Sequence, residues 1–121
     1  MEFLPMSAML LLLSIGMAYG GEADVLRVEV NLTGENIYHF DVTVLHKDEG
    51  WKHYANQWDV VAPDTTVLGT RTLYHPHVNE QPFTRSLSGV KIPTGIDRVT
   101  IRAHDSVYEY GGKVVTVELP R

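Results

Sequence analysis

Ile37-Tyr38-His39-Phe40-Asp41-Val42-Thr43-Val44-Leu45-His46 decides the fold, because Phe40, Val42 and Val44 share one face of an extended run. Successive side chains of a strand point to opposite faces, so this alternation predicts a half-buried β-strand. Working back, Gly34-Glu35-Asn36 supplies a turn to Val25–Leu32, which alternates as Val-Leu-Arg-Val-Glu-Val-Asn-Leu. Working forward, Tyr54–Val61 sets Trp58 and Val60 on one face and Gln57 and Asp59 on the other. Ala62-Pro63-Asp64-Thr65 turns the chain into Thr66–Leu73, since proline presets φ and aspartate bonds its own backbone. Phe83–Val90, Arg98–His104 and Lys113–Leu119 complete the set, separated by Pro93-Thr94-Gly95 and by a loop ending in Gly111-Gly112. Seven short strands with regular turn signals predict an all-β immunoglobulin-like or fibronectin type III-like sandwich. Trp58 falls on the third strand, where such folds bury a tryptophan. The chain has no cysteine, so the fibronectin-like version without the inter-sheet disulfide fits better.

Residues 1–20 read as a signal peptide and 21–121 as one domain. Met6 to Gly16 is an apolar run too short to span a bilayer comfortably, and small residues Ala18 and Gly20 follow it. An uncleaved anchor is the alternative. The expected location is exported, periplasmic or secreted, with no membrane insertion once the leader is removed. Absence of cysteine excludes thiolate metal sites and cysteine nucleophiles, and all four methionines (Met1, Met6, Met9, Met17) lie in the leader. The net charge of −5 and the lack of a basic stripe argue against nucleic acid as a partner.

Strand order then places the chemistry. In an antiparallel meander successive connections alternate between the two ends, so loops 47–53, 74–82 and 105–112 share one end. That end collects His46, Trp51, His53, Tyr74, His75, His77, Glu80, His104, Asp105, Tyr108 and Tyr110, leaving His39 at the other. Loops presented together by a rigid sandwich carry binding surfaces. His75-Pro76-His77 is the densest cluster. It predicts a Zn(II) or Cu(II) site with His75 and His77 as core ligands and His53, His46, His104 or Glu80 completing it. The competing reading is that these rings only brace a proline-stiffened loop.

Trp51, Tyr74, Arg85, Tyr108 and Tyr110 form a second candidate surface, for an unknown protein, carbohydrate or other small-molecule ligand. Structurally, Pro82 would start a strand, Phe83 would plug the core, and Glu80 or Asp105 would pair with Arg85. Gly69 is expected at a bulge or close approach, and Gly111-Gly112 where φ is positive. No catalytic residues are assigned: no nucleophile elbow is present, and His104 and Asp105 point to opposite faces of a continuing strand. The expectation is therefore a binding module and not an enzyme, with a small hydrolase around Glu80 and Asp105 the remotest alternative. Asn31-Leu32-Thr33 is a glycosylation sequon that the alternating strand explains without glycan.

The run His75-Pro76-His77-Val78-Asn79-Glu80-Gln81-Pro82-Phe83-Thr84-Arg85-Ser86-Leu87, with Trp58 before it and Ala103-His104-Asp105 and Gly111-Gly112 after, resembles an uncharacterised family of small exported bacterial proteins. The resemblance covers most of the predicted domain. It implies a single-domain exported bacterial protein and brings no activity. Superoxide reductases need a cysteine ligand that is missing here, and copper–zinc superoxide dismutases need further ligand motifs and a disulfide.

Overall fold

A computed structural model describes residues 21–121; the leader reading lies outside the described residues. Seven antiparallel strands form two sheets: β1 (Asp24–Gly34), β2 (Ile37–Leu45), β3 (Ala55–Val61), β4 (Val67–Thr72), β5 (Phe83–Lys91), β6 (Arg98–Asp105) and β7 (Val115–Glu118). One sheet runs β1-β2-β5, the other β4-β3-β6-β7. This is the β-sandwich that the alternation predicts, with strand bounds within about two residues of those read from sequence. β4 pairs with β3 and not with β5, which separates the arrangement from the four-plus-three sheets of antibody constant domains.

The alternation of β2 becomes a core face: Tyr38, Phe40, Val42 and Val44 are all fully buried, while the residues between them are half-exposed. Opposite them lie Trp58 and Val60 of β3 and Val99, Ile101 and Ala103 of β6. Each such side chain stabilises the fold by about 1.5–3 kcal/mol relative to exposure, which is how a chain without disulfides holds together. Gly69 fits its expected close approach: a Cβ there would stand 3.2 Å from Leu87 Cδ2 and 3.4 Å from Val90 Cγ1. β3 is buried on its outer face too, because Asp59 is covered. Its carboxylate accepts from Tyr110 Oη (2.6 Å), Thr70 Oγ1 (2.8 Å) and Arg102 Nε (3.1 Å). The Arg102 guanidinium also lies 4.0 Å from the centre of the Tyr110 ring. This network pins loop 106–114 against the four-stranded sheet.

The ends sort as strand parity requires. At one end Asn36 O accepts from Ile92 N (2.9 Å) and Asn36 Nδ2 donates to Thr94 Oγ1 (3.1 Å), joining loops 35–36 and 92–97. At the other, loops 46–54, 73–82 and 106–114 meet around His46, Asp48 and Asp105.

Candidate metal centre

His46, His53 and Asp105 come together where the inward faces of three strands run out. β2 buries every second residue up to Val44, and His46 is the next position in that series. β6 buries Val99, Ile101, Ala103 and then Asp105. His53 stands two residues before Ala55, the first buried residue of β3. The core thus ends in polar groups: His46 and Asp105 are fully buried, and the His53 side chain is only 14% exposed. His46 Nε2 lies 3.3 Å from His53 Nε2 and 3.3 Å from Asp105 Oδ2, and His53 Nε2 lies 3.6 Å from Asp105 Oδ2. Among the described residues this is the group of three side chains with spacing that could hold a metal ion.

His46 and Asp105 are oriented from behind. Asp48 Oδ1 lies 2.5 Å from His46 Nδ1, which turns Nε2 inward. Glu49 Oε1, on an exposed side chain, lies 3.5 Å from His53 Nδ1, within ion-pair reach of the second ring but without a hydrogen bond to it. Asp105 Oδ1 accepts the amides of Val107 (2.8 Å) and Tyr108 (2.5 Å), leaving Oδ2 aimed at the two imidazoles. Oδ2 is buried and no hydrogen-bond donor of the described chain satisfies it. A carboxylate oxygen in that position costs about 1–3 kcal/mol or more unless a positive charge meets it. Both imidazole Nε2 atoms also approach the carbonyl of Gly21, at 2.7 Å for His46 and 3.2 Å for His53. The His53 ring is covered by Tyr108 in an edge-to-face contact at 5.4 Å.

Burial works against a charge on His46, but the Asp48 hydrogen bond, the Gly21 carbonyl and the charges of Asp48 and Asp105 outweigh it and raise its pKa. Burial alone would raise Asp48, and the His46 ring with the amides of His77 and Ala55 brings it below the ordinary carboxylate value instead.

The predicted ligand set is spread out. His53 is in the group. His75 is exposed, with Nδ1 3.3 Å from the Pro76 carbonyl, and its ring centre lies 4.9 Å from that of His77. His77 is buried and stacks on Phe83 at 4.1 Å, with neither ring nitrogen hydrogen-bonded. His104 Nδ1 lies 2.6 Å from Asn56 Oδ1, and Glu80 pairs with Arg85 at 3.2 Å. His46, named in sequence only as a possible third ligand, stands at the centre. Asp105 faces it and not Arg85. Of the candidate ligand-binding residues, Trp51 and Tyr74 are broadly exposed at 67% and 77%. Tyr108 leans on His53, Tyr110 is tied to Asp59, and Arg85 stacks over Phe83 at 5.6 Å. Of the two loop glycines, Gly111 has positive φ (148°), while Gly112 has no room for a side chain against the Ala23 carbonyl.

The His75-Pro76-His77 loop nevertheless touches the centre, through Asp48. Asp48 Oδ2 accepts the His77 amide at 2.6 Å, so one carboxylate orients a ligand ring on one side and fastens the loop on the other. Burial, then the charges of Arg85 and His75, lower the His77 pKa against smaller pulls from Asp48 and Glu80. The unfolded chain takes up that proton near pH 6.5 while the folded ring still resists it. Below that point the unfolded state binds more protons, so stability is lost as the pH is lowered. His77→Phe keeps the stack on Phe83 and removes the titration. Urea unfolding is expected to show a smaller loss between about pH 7 and about pH 5 in the variant than in the wild type. Equal losses would assign the acid sensitivity to other groups.

A protein of the archaeon Halomicrobium mukohataei, named "Putative lipoprotein", is 37% identical over 97 residues. The match takes in 80% of this chain and 47% of that protein, so the chain spans about half the length of its relative. The relative is archaeal, where the resemblance noted in the sequence implied a bacterial host. No family model and no solved structure matches the chain.

Proposed function

We propose that this protein is an exported metal-binding module that holds a divalent ion, zinc before others, at His46, His53 and Asp105. The observation that carries the reading is Asp105 Oδ2: buried, without a hydrogen-bond donor, and facing two imidazole nitrogens, the first of them on a ring held from behind by the Asp48 carboxylate. Histidine ligands of metals characteristically hand their second nitrogen to a carboxylate or carbonyl, which fixes the ring and raises its basicity.

The spacing also favours one metal. Zinc bonds of about 2.0–2.1 Å in a tetrahedron set ligand atoms about 3.3 Å apart. A square-planar Cu(II) site would instead give three neighbouring ligands two short separations and one near 4 Å, by the same bond lengths. The three separations here are 3.3, 3.3 and 3.6 Å, one face of a tetrahedron. The donor set of two imidazoles and a carboxylate suits zinc, and the absence of cysteine sets aside the thiolate-bound alternatives.

The apolar run of residues 6–16 and the lipoprotein name of the relative support an exported location. The chain has no cysteine, so a thiol-linked lipid has no attachment point within these 121 residues.

Calorimetric titration of the full chain in mild detergent tests the reading. Zinc is expected to bind one-to-one, more tightly than micromolar, and His53→Ala to weaken it by well over about a hundredfold, beyond the roughly ten- to hundredfold loss typical of a residue that only supports a ligand. Binding weaker than millimolar, or unchanged in the variant, rejects the centre.

A further inference from the structure

We infer that the backbone carbonyl of Gly21 is the fourth ligand of this centre, so that metal binding latches the segment entering the domain, residues 21–24, onto the loop end. The inference rests on the metal reading above. His46, His53 and Asp105 form one triangular face, and the carbonyl of Gly21 stands against two of its corners, 2.7 Å from His46 Nε2 and 3.2 Å from His53 Nε2. The His53 contact matches the spacing of about 3.3 Å in a tetrahedral zinc site. The His46 contact is a hydrogen-bond distance that must open by about 0.6 Å as the ion enters. A carbonyl oxygen is a neutral donor that adds no further buried charge.

The chain is shaped to bring that carbonyl in. Gly21 is buried with φ at 94°, a conformation that L side chains rarely adopt, and a Cβ there would collide with the Tyr108 ring and stand 3.2 Å from His53 Cε1. Ala23 and Asp24 follow at 1% and 2% exposure. Asp24 Oδ1 accepts the Lys113 amide (2.7 Å), and Val25 N donates to Lys113 O (2.8 Å). Gly112 leaves room for the Ala23 carbonyl where any side chain would strike it. Residues 21–25 therefore thread between loop 106–114 and the two histidines, with glycine at both points of closest approach.

The proposal also defines the kind of site. With Gly21 in place all four positions are filled by protein, as in structural zinc centres, whereas catalytic centres keep one position for water or substrate. The ion then serves to fasten the chain and does not activate a substrate.

The test uses the full chain in mild detergent with zinc as the only added ligand, reading hydrogen exchange at the amides of Glu22 to Val25 and zinc affinity by chelator competition. Zinc is expected to slow exchange at these amides by about tenfold or more, and Gly21→Ala to weaken zinc by about tenfold or more with its circular dichroism unchanged, comparable to losses on disturbing ligand support. Zinc that binds the wild type without changing exchange at Glu22 to Val25 overturns the latch and leaves the three-residue centre standing. Should Gly21→Ala fail to fold, the wild-type exchange result alone decides. Failure of the wild type to bind zinc at all overturns the metal reading itself, and the latch with it.

Discussion

Asp105→Asn is expected to abolish tight zinc binding while leaving the zinc-free protein at least as stable as the wild type. The two effects separate because Asp105 does two jobs with two oxygens. Oδ1 caps the turn by accepting the amides of Val107 and Tyr108, and an amide oxygen can do the same. Oδ2 is the buried, unsatisfied one, and it faces the imidazoles without a donor. Where His46 is neutral, exchanging it for an NH2 group removes a buried carboxylate that costs about 1–3 kcal/mol. It also removes the only anionic donor of the three-residue centre. Urea unfolding with a chelator present is expected to show the variant equal to the wild type or about 1 kcal/mol more stable. With zinc at about a hundred times its dissociation constant, the wild type gains about 2.7 kcal/mol and the variant gains nothing. A variant that gains as much as the wild type would show that Asp105 is structural only.

Asp48→Ala is expected to give the largest loss of stability of any change at this end. Its side chain is fully buried and holds three separate parts of the chain: His46 Nδ1 at 2.5 Å, Ala55 N at 3.0 Å and His77 N at 2.6 Å. Truncation leaves two buried amides without acceptors and His46 without its partner. Breaking a buried pair in this way costs about 3–5 kcal/mol. The same change frees the His46 ring to rotate, so zinc affinity should fall about ten- to a hundredfold although Asp48 is not itself a ligand. Asp48→Asn keeps an oxygen for the His46 ring and the Ala55 amide but sets an NH2 group against the His77 amide, so it should recover only part of the stability. Urea titration and chelator competition on the two variants distinguish this from simple loss of packing, for which asparagine, which keeps the side-chain volume, would restore stability and zinc affinity in full.

The fold was legible because β2 and β6 alternate without interruption and turn residues separate the strands. Period-two patterning reports burial directly, and Tyr38 to Val44 behaves as that pattern requires. The end of the sandwich that carries the polar cluster was legible too, since strand parity brings loops 46–54, 73–82 and 106–114 together. The membership of the cluster was harder. His75-Pro76-His77 draws attention because its histidines are close in sequence, whereas His46, His53 and Asp105 meet only in space. A signal was nevertheless present. The alternation that puts Val42 and Val44 inward also puts His46 inward, and Val99, Ile101 and Ala103 lead to Asp105. An ionisable residue that continues a buried series is more informative than two neighbouring rings in a loop. Asp48 and Gly21 carried no comparable signal: one acts through a loop hydrogen bond and the other through a backbone carbonyl, which no side-chain pattern reveals.

The same cluster has a mechanical meaning for a chain with no cysteine. An ion held by Gly21, His46, His53 and Asp105 would cross-link the start of the domain to the end of its sixth strand, much as a disulfide staples two distant points of a secreted domain. Closing a loop that long removes conformational freedom from the unfolded chain worth about 4.5 kcal/mol by the usual loop-entropy relation. Unlike a disulfide, this staple needs no oxidant and opens to a chelator. Locking the fold would then require no thiol chemistry at all: a loose chain would be fastened by the first zinc ion it meets.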